Sequence, residues 1–393
     1  MNKVIIVTHN FYPESVGGAS RIYEMARLLK QSYEVTIVCP PPTYPFTKYE
    51  KAKYILHKEN LDDFKVFRIW TYQPSKQTIS FLQRFLYYLI FPILSSVFLL
   101  SELHRTSFVI VTTPPSSLLF TTLIVRLFKK KIILDVRDIW IDAAISLGYV
   151  NEKNILAKIV KKFENYCWKK SDLIITNSMI ILDTIKRTLD NSNLSKVKYF
   201  PFNVDLQIFK RNAVKREKEI VYIGNFGVAQ SIETLIKAIQ IVLTNIPDLK
   251  VHLYGGGDRE HHLKRLVKEL KLEHVFKFNS PIPRKEIPSI LSKALLGIVP
   301  LADSEALHYA IPTKTFEYFA CELPVLGYGS SVELERVIKE SGGGLYVKGN
   351  NHEEIAHAII RILNDQNMMD DFSKNGRKFV EHDTGFPILT MVD

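Results

Sequence analysis

The chain has 393 residues, 46% hydrophobic and 24% charged, which excludes disorder, collagen-like sequence and a polytopic membrane protein. Lys and Arg number 52 against 41 Asp and Glu, a net charge of +11 that favours an anionic partner: nucleic acid, an acidic membrane face or a phosphorylated substrate. Cys39, Cys167 and Cys321 are odd in number, far apart and set in apolar or helical contexts, so they read as reduced core residues of a cytosolic chain. Met1-Asn2-Lys3 runs straight into a strand, so no cleavable leader is expected.

Short apolar, β-branched runs alternate with longer amphipathic stretches. Val4–Val7 reads as a buried strand, and Ala19–Gln31 as a helix with Ile22, Met25, Ala26 and Leu29 on one face. Strands follow at Glu34–Cys39, Phe108–Thr112, Ile132–Val136 and Leu173–Thr176, with helices at Leu118–Phe128 and Asn154–Lys169. Strands that are continuously apolar predict a parallel sheet covered on both faces. Val204–Lys218 is polar, without apolar period, and reads as a linker. The pattern then restarts with strands at Ile220–Ile223, Val251–Tyr254, Val275–Phe278, Leu295–Val299 and Pro324–Leu326, and helices at Ile232–Leu243 and Glu260–Leu270. The expected architecture is α/β: two doubly wound domains at 1–203 and 219–393, joined by 204–218.

Charge is divided unevenly. Residues 1–203 carry 28 Lys and Arg against 16 Asp and Glu, whereas 204–393 carry 24 against 25. The first domain is therefore expected to meet the anionic surface. One stretch, Ile79–Leu100, is unusually apolar, with no charge from Phe85 to Leu100 and Pro92 in its middle. It is short for a membrane span, and three readings stand: a spanning helix, an ordinary buried helix, or a helix half buried in the domain and half facing a bilayer. Its flanking Lys76, Arg84, His104 and Arg105 suit anionic headgroups.

Facing doubly wound domains bind ligands at the carboxyl ends of their strands. After the first strand, Gly17-Gly18 opens a helix and lets backbone N–H groups approach an anion, or is a plain turn. The G-x-G-x-x-G dinucleotide fingerprint is absent from that loop. In the second half, Gly224-Asn225-Phe226-Gly227 and Gly255-Gly256-Gly257-Asp258-Arg259 each follow a strand and precede a helix. In Pro312-Thr313-Lys314-Thr315-Phe316-Glu317, Lys314 and Glu317 fall three apart near a helix start. They suit a diphosphate and a ribose, or form a surface ion pair.

The order of these pieces resembles glycosyltransferase family 4, retaining enzymes of the GT-B fold, from residue 3 to about 380. THNFYPESVGGASRIYEMARLL resembles that family's donor-phosphate loop and first helix. VTTPPSSLLF and KKIILDVRDIW resemble a subgroup that builds bacterial surface polysaccharides, and GNFGVAQSIETLIKA, LYGGGDREHHLKRL and PTKTFEYFACELPVLG resemble the donor half. The resemblance implies that Gly17 and Gly18 line the donor diphosphate. It implies that Glu317, as the second glutamate of a Glu-x7-Glu signature, binds the ribose. Thr315 and Lys314 would lie by the diphosphate, Gly255 and Arg259 would border the nucleotide, and Arg137 and Asp138 would occupy the acceptor-side loop.

The departures bear on chemistry. The first signature glutamate falls on Tyr309, and the family's Arg and Lys after the first strand of the donor domain fall on Asn225 and Gln230. Diphosphate stabilisation is then expected from Lys314, with Arg259 and Arg137 as further candidates. The implied reaction is metal-independent, cofactor-free transfer of a sugar, with retention, from a nucleotide-diphosphate donor (UDP-linked) to a glycan or polyprenyl-diphosphate-linked acceptor. The expected place is the cytoplasm, peripherally at the inner face of the cytoplasmic membrane, in O-antigen or capsule synthesis. A sugar-nucleotide 2-epimerase of the same fold and a non-enzymatic membrane-surface protein are the rival readings. Nucleic acid is not an expected partner, because the basic residues form no aromatic-interleaved stripe and no helix-turn-helix.

Overall fold

The computed structural model describes residues 2–383 apart from 15–16, 45, 63, 77–79, 140, 142–150, 152–153, 190 and 202–203. The chain forms two compact units that divide between Pro201 and Phe202.

The first unit is an eight-stranded sheet ordered β3-β4-β2-β1-β5-β6-β7-β8. Its strands are β1 (Asn2–Val7), β2 (Tyr33–Cys39), β3 (Leu56–Leu61), β4 (Phe64–Ile69), β5 (Thr106–Thr113), β6 (Lys131–Val136), β7 (Leu173–Thr176) and β8 (Val197–Tyr199). The central strands are apolar on both faces, and Val4, Ile5, Ile6 and Val7 are wholly buried. The sheet departs from the expected all-parallel form at one place. β3 runs antiparallel to β4 as an edge hairpin, and its outer position lets it carry four consecutive polar residues, His57 to Asn60.

Helix α1 (Gly17–Leu29) links β1 to β2, while α2 (Phe81–Glu102), α3 (Phe120–Leu127), α4 (Ile155–Lys170) and α5 (Met179–Thr188) follow β4, β5, β6 and β7. α2 starts on a reciprocal cap: Ser80 accepts from the Gln83 N–H, and the Gln83 side chain accepts from the Ser80 N–H. Pro92 has no N–H to give the Tyr88 carbonyl, and the Ser117 hydroxyl donates to that carbonyl at 2.6 Å instead.

The second unit is an all-parallel six-stranded sheet ordered β11-β10-β9-β12-β13-β14. Its strands are β9 (Glu219–Asn225), β10 (Lys250–Gly256), β11 (Phe276–Asn279), β12 (Leu296–Pro300), β13 (Val325–Gly329) and β14 (Gly344–Lys348). Its helices are α6 (Ile232–Val242), α7 (Glu260–Glu269), α8 (Ile287–Leu291), α9 (Lys314–Ala320), α10 (Val332–Ser341), α11 (His352–Asn364) and α12 (Gln366–Asp383). Within the polar stretch 204–218, Val204 and Phe209 are buried in this unit's core beside Phe316 and Phe319. Cys39, Cys167 and Cys321 are free and buried.

Candidate functional site

In the first unit, the loop after β1 is held from beneath by a buried carboxylate. Glu14 accepts from the backbone N–H groups of Thr43 and Tyr44 at 2.7 and 2.8 Å and from the Asn10 amide at 2.8 Å. Burial raises its pKa above the usual carboxylate value, and these hydrogen bonds oppose that rise. His9 is buried among the rings of Tyr87, Tyr88 and Phe91, and burial lowers its pKa to about 4. It is therefore neutral at physiological pH.

The structure brings Gly18 and Arg137 together. The guanidinium of Arg137 lies against the start of α1, where a Cβ at Gly18 would overlap it. Arg137 is fixed by its backbone N–H to the Thr113 carbonyl at 3.1 Å, and by Nε to the same carbonyl at 3.2 Å. Its Nε also lies 3.8 Å from Asp135 Oδ2. Asp135 has a stronger partner: Arg21 donates to it through Nε at 3.0 and 3.2 Å and through Nη2 at 2.8 Å. That pair is fully buried, with side-chain exposures of 1% and 0%. Burial and the nearby Arg21 charge lower the pKa of Arg137, opposed by Asp135 and Asp138. Arginine remains charged throughout the working range. Asp138 is half-buried two residues past the end of β6.

In the second unit, two glycines let neighbouring backbones close up. Parallel register sets Gly255 beside Gly224 and Gly256 beside Asn225. Gly255 has φ +152°, and a Cβ there would strike the Gly224 carbonyl. Asn225 is exposed, whereas Gln230 turns back to cap the loop, accepting from the Gly227 N–H at 3.2 Å. Arg259 is held by Glu233 on the first turn of α6, with Nε and Nη2 at 3.0 and 2.7 Å from one carboxylate oxygen.

α9 buries Thr315, Phe316, Tyr318, Phe319 and Ala320 and leaves Lys314 and Glu317 half-buried. The two do not form the surface ion pair that their spacing allows. Glu317 instead lies 3.4 Å from Arg284, whose guanidinium sits over the Phe209 ring. The ammonium of Lys314 rests 4.0 Å from the centre of the Tyr222 ring. Gly224 makes room for it, since a Cβ there would overlap Lys314 Nζ. Burial lowers the pKa of Lys314 to about 7, and the charge of Glu317 acts against that shift. The Thr315 hydroxyl is fully buried and has no hydrogen-bond partner among the described residues.

Sequence reasoning missed Tyr222, Glu233, Arg284, Arg21 and Asp135. A signal existed for the last pair, because a carboxylate inside the apolar run Ile132–Val136 demands a buried cation. The ring under Lys314 had no such signal, because Tyr222 reads as one more apolar strand position.

Residues 203–379 match the family model described as glycosyl transferases group 1. A Haemophilus influenzae protein named as an uncharacterized glycosyltransferase is 24% identical over 165 residues, 42% of this chain and 44% of that protein. The poly(ribitol-phosphate) alpha-N-acetylglucosaminyltransferase of Staphylococcus aureus is 22% identical over 223 residues, 56% of this chain and 43% of that protein. The matched stretch thus spans less than half the length of these relatives. Among solved structures, sucrose-phosphate synthase from Thermosynechococcus elongatus superposes with a TM-score of 0.73 at 15% identity, covering 100% of this chain and 96% of that one. HepE of Anabaena in complex with UDP gives 0.70 at 12% identity, covering 100% and 97%. The two mixed α/β units, each built on a sheet that is wholly or mainly parallel, thus have the fold of GT-B glycosyltransferases, and residues 203–379 are the part that matches the group 1 family.

Proposed function

We propose that the chain is a retaining, metal-independent glycosyltransferase of family 4 type. It moves a sugar from a UDP-linked donor to a hydroxyl of a glycan or polyprenyl-diphosphate-linked acceptor in the synthesis of a bacterial surface polysaccharide. The observation that carries the reading is Lys314: a half-buried ammonium with a ring beneath it and no ion-pair partner among the described residues, beside the glycine-opened end of β9. Such a group suits an anion. The named activities of relatives that glycosylate poly(glycerol-phosphate) and poly(ribitol-phosphate) support a surface-polymer acceptor.

In the proposed reaction the bond between the sugar's anomeric carbon and the diphosphate oxygen breaks, and its electron pair goes to the diphosphate. The acceptor oxygen bonds to the same face of that carbon, and its proton passes to the departing diphosphate. Charge grows on the leaving group, so Lys314 acts chiefly in the transition state. Glu317 accepts hydrogen bonds from the ribose. Gly17, Gly18 and Arg137 present backbone N–H groups and a guanidinium to anionic substrate, while Gly255 and Asn225 border the nucleotide. Thr315 and Gln230 shape these walls from behind. In this reading Arg259 approaches the nucleotide only by sharing or leaving Glu233, and Asp138 serves the acceptor loop.

A panel of UDP-, GDP- and dTDP-sugars tests this, scored by thermal shift and then by transfer to acceptor, with the product's anomeric configuration read by NMR. A donor at a hundredfold excess over its Kd stabilises the protein by about 2.7 kcal/mol. Absence of any shift across the panel rejects the donor site. Conversion of the donor sugar without acceptor shows an epimerase instead.

A further inference from the structure

We propose that α2, α3 and α4 together form a platform by which the first unit seats on an anionic lipid bilayer. Strand order supplies the first reason. Each of these helices follows a strand and leads to one nearer β8, so right-handed crossovers put all three on the same face of the sheet. They are also joined: Ser117 just before α3 donates to Tyr88 of α2, and the Phe120 and Phe163 rings of α3 and α4 meet at 4.9 Å.

The outer sides of these helices are apolar. Along α2, Tyr87, Phe91, Ser95 and Leu99 recur every four residues and are buried. On the opposite side Leu82, Phe85, Ile93 and Val97 are exposed. α3 adds Leu127 at 76% exposure, and α4 adds Ile155 and Leu156 at 72% and 66%. Most of the large hydrophobic side chains that the described chain exposes lie on these three helices. α5, on the same side of the sheet, exposes none.

Charge identifies the occupant. Lys129 and Lys131 just after α3, and Lys158, Lys161 and Lys162 on α4 among its exposed isoleucines, are exposed. The sequence from Leu103 to Lys131 contains no acidic residue. Of the carboxylates on the three helices, Glu164 is buried against Ser116, and Glu102 pairs with Lys3. An apolar surface interspersed with lysines complements anionic headgroups over acyl chains. The same lysines oppose a second copy of the chain, because self-association would set lysine against lysine. α2 is long and apolar enough to cross a membrane, but 33% of its most apolar window is buried in the unit. Its Phe98 ring packs on Phe67 at 4.8 Å, so it lies on the bilayer as one rail of the platform.

The test is co-sedimentation of the full chain with vesicles of phosphatidylcholine alone or mixed equally with phosphatidylglycerol, at low and high salt. Binding is expected only with phosphatidylglycerol, with a fraction that resists salt. Ile155→Ser/Ile159→Ser on α4 is expected to remove that fraction as fully as Ile93→Ser/Val97→Ser on α2. Lys158→Gln/Lys161→Gln/Lys162→Gln is expected to weaken binding on the order of a hundredfold. Circular dichroism confirms that each variant is folded, and Leu127→Ser repeats the test wherever one is not. Unchanged binding by the α4 variant overturns the platform in favour of α2 alone. Resistance to alkaline carbonate overturns it in favour of a spanning helix, and a dimer that survives dilution overturns it in favour of self-association. None of these readouts depends on sugar transfer.

Discussion

The ammonium of Lys314 and the ring of Tyr222 meet at 4.0 Å, with Gly224 alongside leaving the space that any other side chain would fill. A lysine enclosed in this way sheds its proton near neutrality, at a pKa of about 7. Binding an anion beside it restores the charged form. Affinity for a UDP-sugar, whose doubly esterified diphosphate does not titrate in this range, is therefore expected to be flat below pH 7 and to fall by up to about tenfold per pH unit above it. Titration calorimetry in buffers of different ionisation enthalpy should show proton uptake at pH 8, and Lys314→Met should abolish it. An affinity independent of pH from 7 to 9 contradicts the assignment. Stability of the free protein moves the other way. The unfolded lysine keeps its proton to about pH 10.5 while the native one releases it near 7, so this group's contribution rises with pH across that window.

Tyr222→Phe keeps the ring and loses only the hydroxyl, which donates to the Asn225 carbonyl at 2.6 Å. It should retain most of the turnover. Tyr222→Leu removes the seat and should lower kcat more than it raises KM, since Lys314 is expected to act most strongly in the transition state. Equal losses in both variants, measured by steady-state kinetics on folded protein, would assign the effect to the hydroxyl.

Glu317→Ala is expected to weaken donor binding by about 10- to 100-fold, from the loss of a charge-assisted hydrogen bond worth roughly 1.5–3 kcal/mol. Arg284→Ala removes the neighbour of Glu317 at 3.4 Å but not the carboxylate, and should cost less. Donor affinity measured on both variants decides whether Glu317 serves the ligand or only the ion pair.

Asp135→Leu and Arg21→Met should each destabilise the protein by about 3–5 kcal/mol, because either leaves a buried charge without its main partner. The double variant Arg21→Met/Asp135→Leu should recover much of that loss. Chemical denaturation of the three proteins gives the comparison, and additive losses would mean that the pair is not coupled.

Gly18→Ala places a methyl group where the Arg137 guanidinium lies. It should lower activity with little change in melting temperature. In the Arg137→Ala background the same change should add almost nothing.

The alternation of strands and helices was legible because buried parallel strands must be continuously apolar and their covering helices amphipathic. The hairpin of β3 and β4 was not legible: Leu56–Leu61 is mostly polar and exposed, so neither the buried-strand pattern nor a helical one appears. At the site, the glycines and the Lys314–Glu317 spacing could be read directly. The partners that decide their chemistry could not, since Tyr222 and Arg284 lie far along the chain from Lys314 and Glu317 and meet them only through the tertiary fold. Asn225 and Gln230 show the same division. Sequence gives their neutrality, while the fold alone gives Gln230 its place as a loop cap.

The polar edge strand β3 has a consequence for solubility. A parallel sheet ending in an apolar strand would offer a row of open backbone groups to any other extended chain. Here the final strand carries His57, Lys58 and Glu59, and it is tied to β4 along its whole length. Charged side chains on an outermost strand discourage intermolecular strand addition. The first sheet is thereby guarded against strand addition on the β3 side, so any growth of that sheet would have to come from β8, its opposite edge.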